Sequence, residues 1–359
     1  VERDLVASIA PLVPVEVCRP RGLRNLMRFD GLLQRLGVDF SLLRWLQQRW
    51  LVRLLSRRAA GLVHSHLITS DLVAARACAD ARVPWLSTMH GDYLAFERTG
   101  CNLAARIPDF TRAIELIERT VGAMVCITEV QQHQLNRLMP ALAARQGIRK
   151  IYNGYPRAKA SQQIDVAAAE GLAQIPPDAL VVGMVARGIR DKGWDVLLEA
   201  ARKAALPNLW LVLVGDGPRI AELRESAREP RLIFVGNVTN PLDYIARFDI
   251  ACLPSRFPTE SLPTVIIEYL QQGKPVIATH VGEIPTMLRV ASDAPAGITI
   301  ELGDESAMAD EMAAALLTLA SDPEMRDRMS QAALAAFEPF DMNLCTSRYE
   351  ELYDEVVHG

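Results

Sequence analysis

The sequence predicts an α/β protein of two domains, each built on a parallel sheet, and three observations carry that prediction. At 359 residues the chain exceeds one ordinary domain and suits two of roughly 150–180 residues. From Gly61 onward, short apolar runs alternate with helix-forming stretches, the pattern of βαβ units. Between the two halves lies PRAKASQQIDVAAAEGLAQIPPDA, polar, Ala-rich and broken by Pro176-Pro177. That is linker composition and puts the boundary near 155–175. The expected division is residues 1–160, 161–337 and a closing segment 338–359.

The bulk composition narrows the class. Half the residues are apolar and 23% are charged, as in ordinary globular proteins. No apolar run reaches the ~18–20 residues that span a bilayer, and no secretory leader pattern opens the sequence. Six scattered cysteines without a C-x-x-C pair argue against zinc or a disulfide framework and fit a reducing, cytoplasmic setting. The net charge of −4 hides an asymmetry: residues 1–150 carry 21 basic against 13 acidic side chains, and residues 151–359 carry 18 against 30. Between Arg19 and Arg58 ten arginines face only Asp30 and Asp39. Such a segment suits contact with anionic lipid at the inner membrane face or with a phosphorylated acceptor, and equally a solvated helix face. No nucleic-acid partner is expected.

In chain order, residues 5–10 read as helix and VPVEV as a strand. Residues 40–58 read as a long helix with Arg49, Arg53 and Arg57 aligned at i, i+4 spacing. GLVHSHL is a strand on which His64 and His66 share a face; a metal would need a third ligand, and none is convincing nearby. SDLVAARACADA is a helix and VPWLSTMHG a strand running into a loop that holds His90 and Asp92. A helix over 107–120, the strand AMVCIT, a helix over 129–144 and the strand KIYNGY complete the first half. In the second half LVVGMV is a buried strand, followed by a loop with Arg187 and Lys192-Gly193 and then a helix. WLVLV leads into the turn Gly215-Asp216-Gly217, where Ile220 stands in place of the third glycine of a dinucleotide fingerprint. LIFVGNV is another strand, and helices are expected over 304–320, 323–337 and 341–357.

The stretch from Ala251 to Gly282 organises the rest. DIACLP is a buried strand, Pro263 opens a helix ending at Gly273, and PVIAT is the next strand. Ligands of such units sit beyond the carboxyl ends of the strands. Glu260 lies in the loop and Glu268 on the helix eight residues later. Amides of Ser261, Leu262 and Thr264, expected at the helix start, suit a phosphate, and the two carboxylates suit hydroxyl groups. Phosphate flanked by hydroxyls describes a nucleotide sugar.

This stretch resembles the E-x7-E region of the retaining nucleotide-sugar glycosyltransferases of family 4, whose GT-B fold sets two Rossmann-like domains face to face across a cleft. The resemblance covers nearly the whole chain and is strongest from 181 to 285. Arg187 and Lys192-Gly193 resemble the family's G-R-L-x-x-x-K-G, with Ala186 for the first Gly and Gly188 for Leu. His90 lies in the family's Thr-x-His-Gly pattern, and Gly282-Glu283 stands for the usual Gly-Gly. Val1-Glu2-Arg3 resembles the start of the family's first helix, so the first strand and its Gly-rich turn are absent from the sequence as it stands.

The resemblance implies retaining transfer of a sugar from a nucleoside-diphosphate sugar to a glycan or lipid-linked acceptor, as in surface-polysaccharide assembly, without a metal. Arg187, Lys192 and the amides of Ser261, Leu262 and Thr264 would hold the diphosphate. Glu260 would hold the donor sugar, Glu268 the ribose, and the loop from Gly236 to Asn240, through Gly236 and Val238, the base. His90 and Asp92 would face the acceptor. The catalytic candidates are His90, Arg187, Lys192 and Glu260, and the segment 338–359 would brace the first domain. An inverting enzyme or epimerase on the same fold, a glycosidase using both glutamates, and a catalytically silent nucleotide-sugar-binding or scaffold protein are the alternatives.

Overall fold

A computed structural model describes residues 23–36, 40–91, 110–158, 172–227, 229, 231–258, 260–290 and 295–359. The chain divides into two compact units: residues 1–126, 132–149 and 351–359 form the first, and residues 127–131 with 150–350 the second. The helix expected at 5–10, the VPVEV strand and the first residues, on which the expectation of a missing first strand rests, lie outside the described residues.

The first unit opens with α1 (Leu23–Arg35) and α2 (Leu42–Arg58). Buried Asp30 on α1 accepts from the Ser41 hydroxyl at 2.6 Å and from the Leu42 and Leu43 amides at 2.8 and 3.2 Å. Ser41 in turn accepts from the Arg44 amide at 3.1 Å, so α2 is capped twice over. The Arg49, Arg53 and Arg57 stripe is exposed while Leu55 is buried, so α2 is a packed helix with a solvated side. Helix α1 has no counterpart in the sequence reading. It exposes Leu23, Met27, Phe29 and Leu32, with Leu36 just past its end, beside Arg24, Arg28 and Arg35.

There follow β1 (Val63–His66), α3 (Ile68–Ala81), β2 (Trp85–Met89), α4 (Phe110–Thr120), β3 (Ala123–Cys126), α5 (Glu129–Leu138), α6 (Pro140–Ala144) and β4 (Ile148–Lys150). The strands lie in the order β1-β2-β3-β4, and β1–β2 and β2–β3 pair in parallel. The single helix expected over 129–144 is two, because Pro140 lacks the amide that would continue α5 and instead opens α6. The strand expected at KIYNGY lies earlier, at Ile148–Lys150. Buried Asp71 on α3 accepts from the Ser65 and Ser87 hydroxyls, both at 2.6 Å, and ties that helix to β1 and β2.

The second unit contains β5 (Leu180–Val185), a 3-10 turn (Arg190–Lys192), α7 (Trp194–Ala204), β6 (Leu209–Val214), α8 (Pro218–Ser226), β7 (Leu232–Gly236), α9 (Leu242–Ile245) and β8 (Ile250–Leu253). Then come α10 (Thr264–Gln271), β9 (Val276–Thr279), α11 (Ile284–Met287), β10 (Gly297–Ile300), α12 (Glu305–Ser321), α13 (Pro323–Ala336), a second 3-10 turn (Glu338–Phe340) and α14 (Met342–His358). Residues 351–358 of α14 belong to the first unit, where the Arg149 guanidinium meets Glu355 at 3.1 Å. Six parallel strands run in the order β10-β9-β8-β5-β6-β7. The order reverses between β5 and β8, and such a switch point is where open α/β sheets leave a crevice for ligands. Helices α8 and α9 and strand β10 were not anticipated from the sequence.

Candidate functional site

In the second unit the loops after β5 and β8 leave neighbouring strands at the switch point. A buried phenol fixes their roots: Tyr269 accepts from the Val185 amide at 2.8 Å and donates to the Cys252 carbonyl at 3.2 Å. The indole of buried Trp194 donates to the Arg187 carbonyl at 3.0 Å, while the Arg187 side chain is exposed with no ion-pair partner among the described residues. Gly188 donates to the Asp216 carbonyl and accepts from the Arg219 amide, both at 2.8 Å. A Cβ at Gly188 would stand 2.6 Å from the Gly217 nitrogen, which explains glycine where the family pattern has leucine.

The 3-10 turn then delivers Lys192. Its ammonium donates to Glu260 Oε2 at 2.5 Å, and buried Ser255 donates to the same oxygen at 2.8 Å. The Lys192 and Glu260 side chains are 13% and 12% exposed, so neither charge is fully hydrated and each depends on the other. The Asp191 carbonyl accepts from the Arg256 amide at 2.7 Å and binds the two loops at the backbone. Gly282 takes φ +56°, and a Cβ there would lie 1.5 Å from the Glu260 carbonyl oxygen.

Helix α10 starts at Thr264 with Pro263 as its cap, and no side chain caps its first turn. Ser261 and Leu262, expected at the helix start, precede it in the loop: proline fixes the boundary two residues later. The Ser261 hydroxyl accepts from Gln131 Nε2 at 3.1 Å, and Leu262 is buried. Glu268 lies one turn into α10 and accepts from the Tyr155 hydroxyl at 2.5 Å. Burial pushes the Glu268 carboxyl above its usual range, and the Tyr155 hydrogen bond pulls it partly back. The Tyr155 phenol is raised far above its ordinary value, by burial first and then by Glu268, so the proton stays on the phenol.

Glu283 was noted in the sequence only as a substitute for glycine, yet it is 1% exposed and heavily engaged. It accepts from the Tyr152 hydroxyl at 2.5 Å, the Glu129 amide at 2.9 Å and the Lys150 ammonium at 3.5 Å. Its own amide donates to the Ser261 carbonyl at 3.0 Å, so this buried carboxylate and its half-buried lysine are tied to the loop that carries Glu260. The available signal was an acid set between two apolar runs, VIAT and IPTM. Gly236 ends β7 at φ +88°, and its carbonyl accepts from the Gly215 amide. Val238 packs its side chain on the unit's own core, so what it offers a ligand is backbone.

In the first unit His90 follows β2 and is exposed. Its Nε2 is hydrogen-bonded to His66 Nδ1 at 2.9 Å, and the two rings stack with centroids 5.1 Å apart. His64 and His66 lie on one face with centroids 4.3 Å apart. The His64 ring is held between the Tyr353 hydroxyl at 2.9 Å and the Thr88 hydroxyl at 2.8 Å. Burial, then the charges of His66 and His90, lowers His64 to about 4. Burial also lowers His66 and His90. Among the described residues no group of three or more His, Cys, Asp or Glu is placed to hold a metal ion. Asp92 lies outside the described residues.

Residues 176–318 match the family model for glycosyl transferases group 1. The matched region contains Arg187, Lys192, Glu260, Glu268 and Glu283. The chain is 28% identical over 242 residues, 66% of its length, to the lipopolysaccharide core biosynthesis glycosyltransferase LpsD of Rhizobium meliloti (strain 1021). It spans 65% of that relative, under two thirds of its length. Its fold is similar to a crystal structure of a glycosyltransferase from Rickettsia africae, with a TM-score of 0.71 at 17% identity, over 99% of this chain and 88% of that one. It is also similar to Anabaena HepE in complex with UDP, with a TM-score of 0.66 at 22% identity, over 85% of this chain and 80% of that one. The fold is that of GT-B glycosyltransferases.

Proposed function

We propose that the protein moves a sugar from a nucleoside-diphosphate sugar to an acceptor hydroxyl, with retention at the anomeric carbon. The arrangement that carries this reading is the pair Lys192–Glu260 at the switch point, beside exposed Arg187 and the uncapped start of α10. A cation and a carboxylate on adjacent loops match a diphosphate joined to a polyhydroxyl ring. When a donor enters, its phosphates take Lys192 from Glu260, which frees the carboxylate to accept from sugar hydroxyls. Arg187 adds a planar fork to the same diphosphate.

Breaking the bond from anomeric carbon to phosphate oxygen leaves negative charge on the nucleoside diphosphate. Lys192, Arg187 and the α10 terminus meet that charge where it develops. The acceptor oxygen bonds to the anomeric carbon from the same face, and its proton passes to the departing phosphate oxygen. These cations make a resident metal unnecessary, and EDTA is expected to leave the rate unchanged. Glu268 holds the ribose, and backbone from Gly236 to Val238 faces the base. His90 and Asp92 serve the acceptor, taken as a glycan or lipid-linked glycan of surface-polysaccharide assembly, in line with the likeness to LpsD.

No described helix is long and apolar enough to cross a membrane. Exposed apolar and arginine side chains on α1 support peripheral contact with an anionic membrane face, which co-sedimentation with anionic against neutral vesicles tests. For the reaction, the test is incubation of the full chain with UDP-, GDP- and ADP-sugars, with the product anomer read by proton NMR. Transfer or slow hydrolysis, abolished by Glu268→Ala, is the expected result. Nucleotide binding without turnover would favour the silent-binder reading, and absence of any binding would remove the donor site.

A further inference from the structure

Tyr155 is held from both ends. Its amide donates to the Phe340 carbonyl at 2.7 Å, and its carbonyl accepts from the Met342 amide at 3.0 Å, forming a parallel bridge with Asp341. Pro156 follows and biases residue 155 toward the extended backbone such a bridge needs. Two residues on, the Arg157 guanidinium pairs with Asp341 and with Glu338 at 2.7 Å. The Ala158 amide donates to Gln271 at 3.1 Å, and its carbonyl accepts from Gln272 at 3.2 Å. The segment is therefore strapped to the second 3-10 turn on one side and to the end of α10 on the other. Its one free reach is the phenol, and that ends on Glu268 Oε1.

We infer that Tyr155 is the positioning residue for Glu268 and, through it, sets a preference for ribose over 2′-deoxyribose in the nucleotide. This rests on the proposed role of Glu268 as the ribose contact. A glutamate carries three rotatable bonds, and α10, pinned by neighbouring Tyr269, fixes only its backbone. The Tyr155 hydroxyl occupies one lone-pair site on Oε1. No other hydrogen bond reaches this carboxylate among the described residues, which leaves one site on Oε1 and both on Oε2, a layout that can accept from two vicinal hydroxyls at once. Because the phenol keeps its proton, it donates to Glu268 and does not repel the carboxylate as a phenolate would; it also counters the burial that would otherwise favour a protonated carboxyl. Without it the carboxylate would reach the ribose only after freezing its own torsions.

The experiment is calorimetric titration of UDP, GDP and ADP, each beside its 2′-deoxy counterpart, into the full chain and into Tyr155→Phe, Glu268→Ala and the double variant, with melting curves for all four. Tyr155→Phe is expected to weaken the ribonucleotide about tenfold and the 2′-deoxy form less than about twofold. In the Glu268→Ala background the same change should add under about twofold, because the partner is already gone. Unchanged melting of Tyr155→Phe would show that the effect is not a folding defect. If Glu268→Ala erases the ribose preference while Tyr155→Phe leaves it intact, or weakens both nucleotides equally, the inference fails and the ribose reading stands. If Glu268→Ala leaves nucleotide binding untouched, the donor-site reading itself is wrong.

Discussion

The candidate groups of the two units differ in their charge state before any ligand arrives. In the second unit the largely buried ones are ionic and already paired, Lys192 with Glu260 and Glu283 with Lys150, while Arg187 is exposed. In the first they are three adjacent imidazoles, of which His66 and His90 stack, with proton affinities lowered by burial. An anionic ligand can exchange one counter-charge for another at the first kind of site, with no bare charge exposed on the way. The second kind carries no fixed charge at neutral pH and can give or take a hydrogen bond at either ring nitrogen.

The largest expected effect breaks the ionic side of that contrast. Lys192→Ala should lower kcat/KM for the donor by ~10²–10³-fold, the usual loss when a donor aimed at developing charge is removed. Steady-state kinetics measures this, and Lys192→Arg should recover only part, because a planar fork does not replace a compact ammonium. A rate within threefold of wild type for Lys192→Ala would move the charge stabilisation elsewhere.

Next in size is a backbone effect. Gly282→Ala forces a Cβ against the Glu260 carbonyl at a left-handed position, and urea unfolding should register a loss of ~2–4 kcal/mol. His90→Ala, at an exposed position in the other unit, should cost under ~1 kcal/mol in the same assay.

The smallest effect sharpens the contrast through pH. His64 takes up its proton near 6.5 when unfolded but only at about 4 when folded. Between those values the unfolded chain binds the proton and the folded chain does not, so stability is full above 6.5 and declines as pH falls toward 4. Glu268 runs the other way. Its carboxyl is raised by burial, so its cost is absent at low pH and appears as pH rises through the folded value. Melting scans from pH 4 to 8 should show a shallower acid-side slope in His64→Gln and a gain at neutral pH in Glu268→Gln.

The parts of this structure readable in the sequence are those that local chemistry decides. DIACLP, Pro263, Gly273 and PVIAT mark a strand, a helix start, a helix end and a strand, and β8, α10 and β9 follow them closely. Elsewhere the reading missed its signals: Pro140 broke a helix that periodicity alone would continue, and GITI was too short and too weakly bounded to announce β10. The loop cations and both glutamates were legible as residue types suited to a diphosphate and hydroxyls. Their partners were not, because the contacts are remote in sequence: Lys192 meets Glu260 across 68 residues, and Tyr155 meets Glu268 across 113. The same distance hid the partner of the Ser261 hydroxyl, Gln131, 130 residues away.

The most direct test of the central claim is a crystal structure of the full chain with UDP, GDP or ADP, whichever binds. The account predicts a diphosphate within hydrogen-bond reach of Arg187 and Lys192, Lys192 released from Glu260, and the ribose hydroxyls on Glu268. A nucleotide bound elsewhere, with the Lys192–Glu260 pair intact, would contradict it.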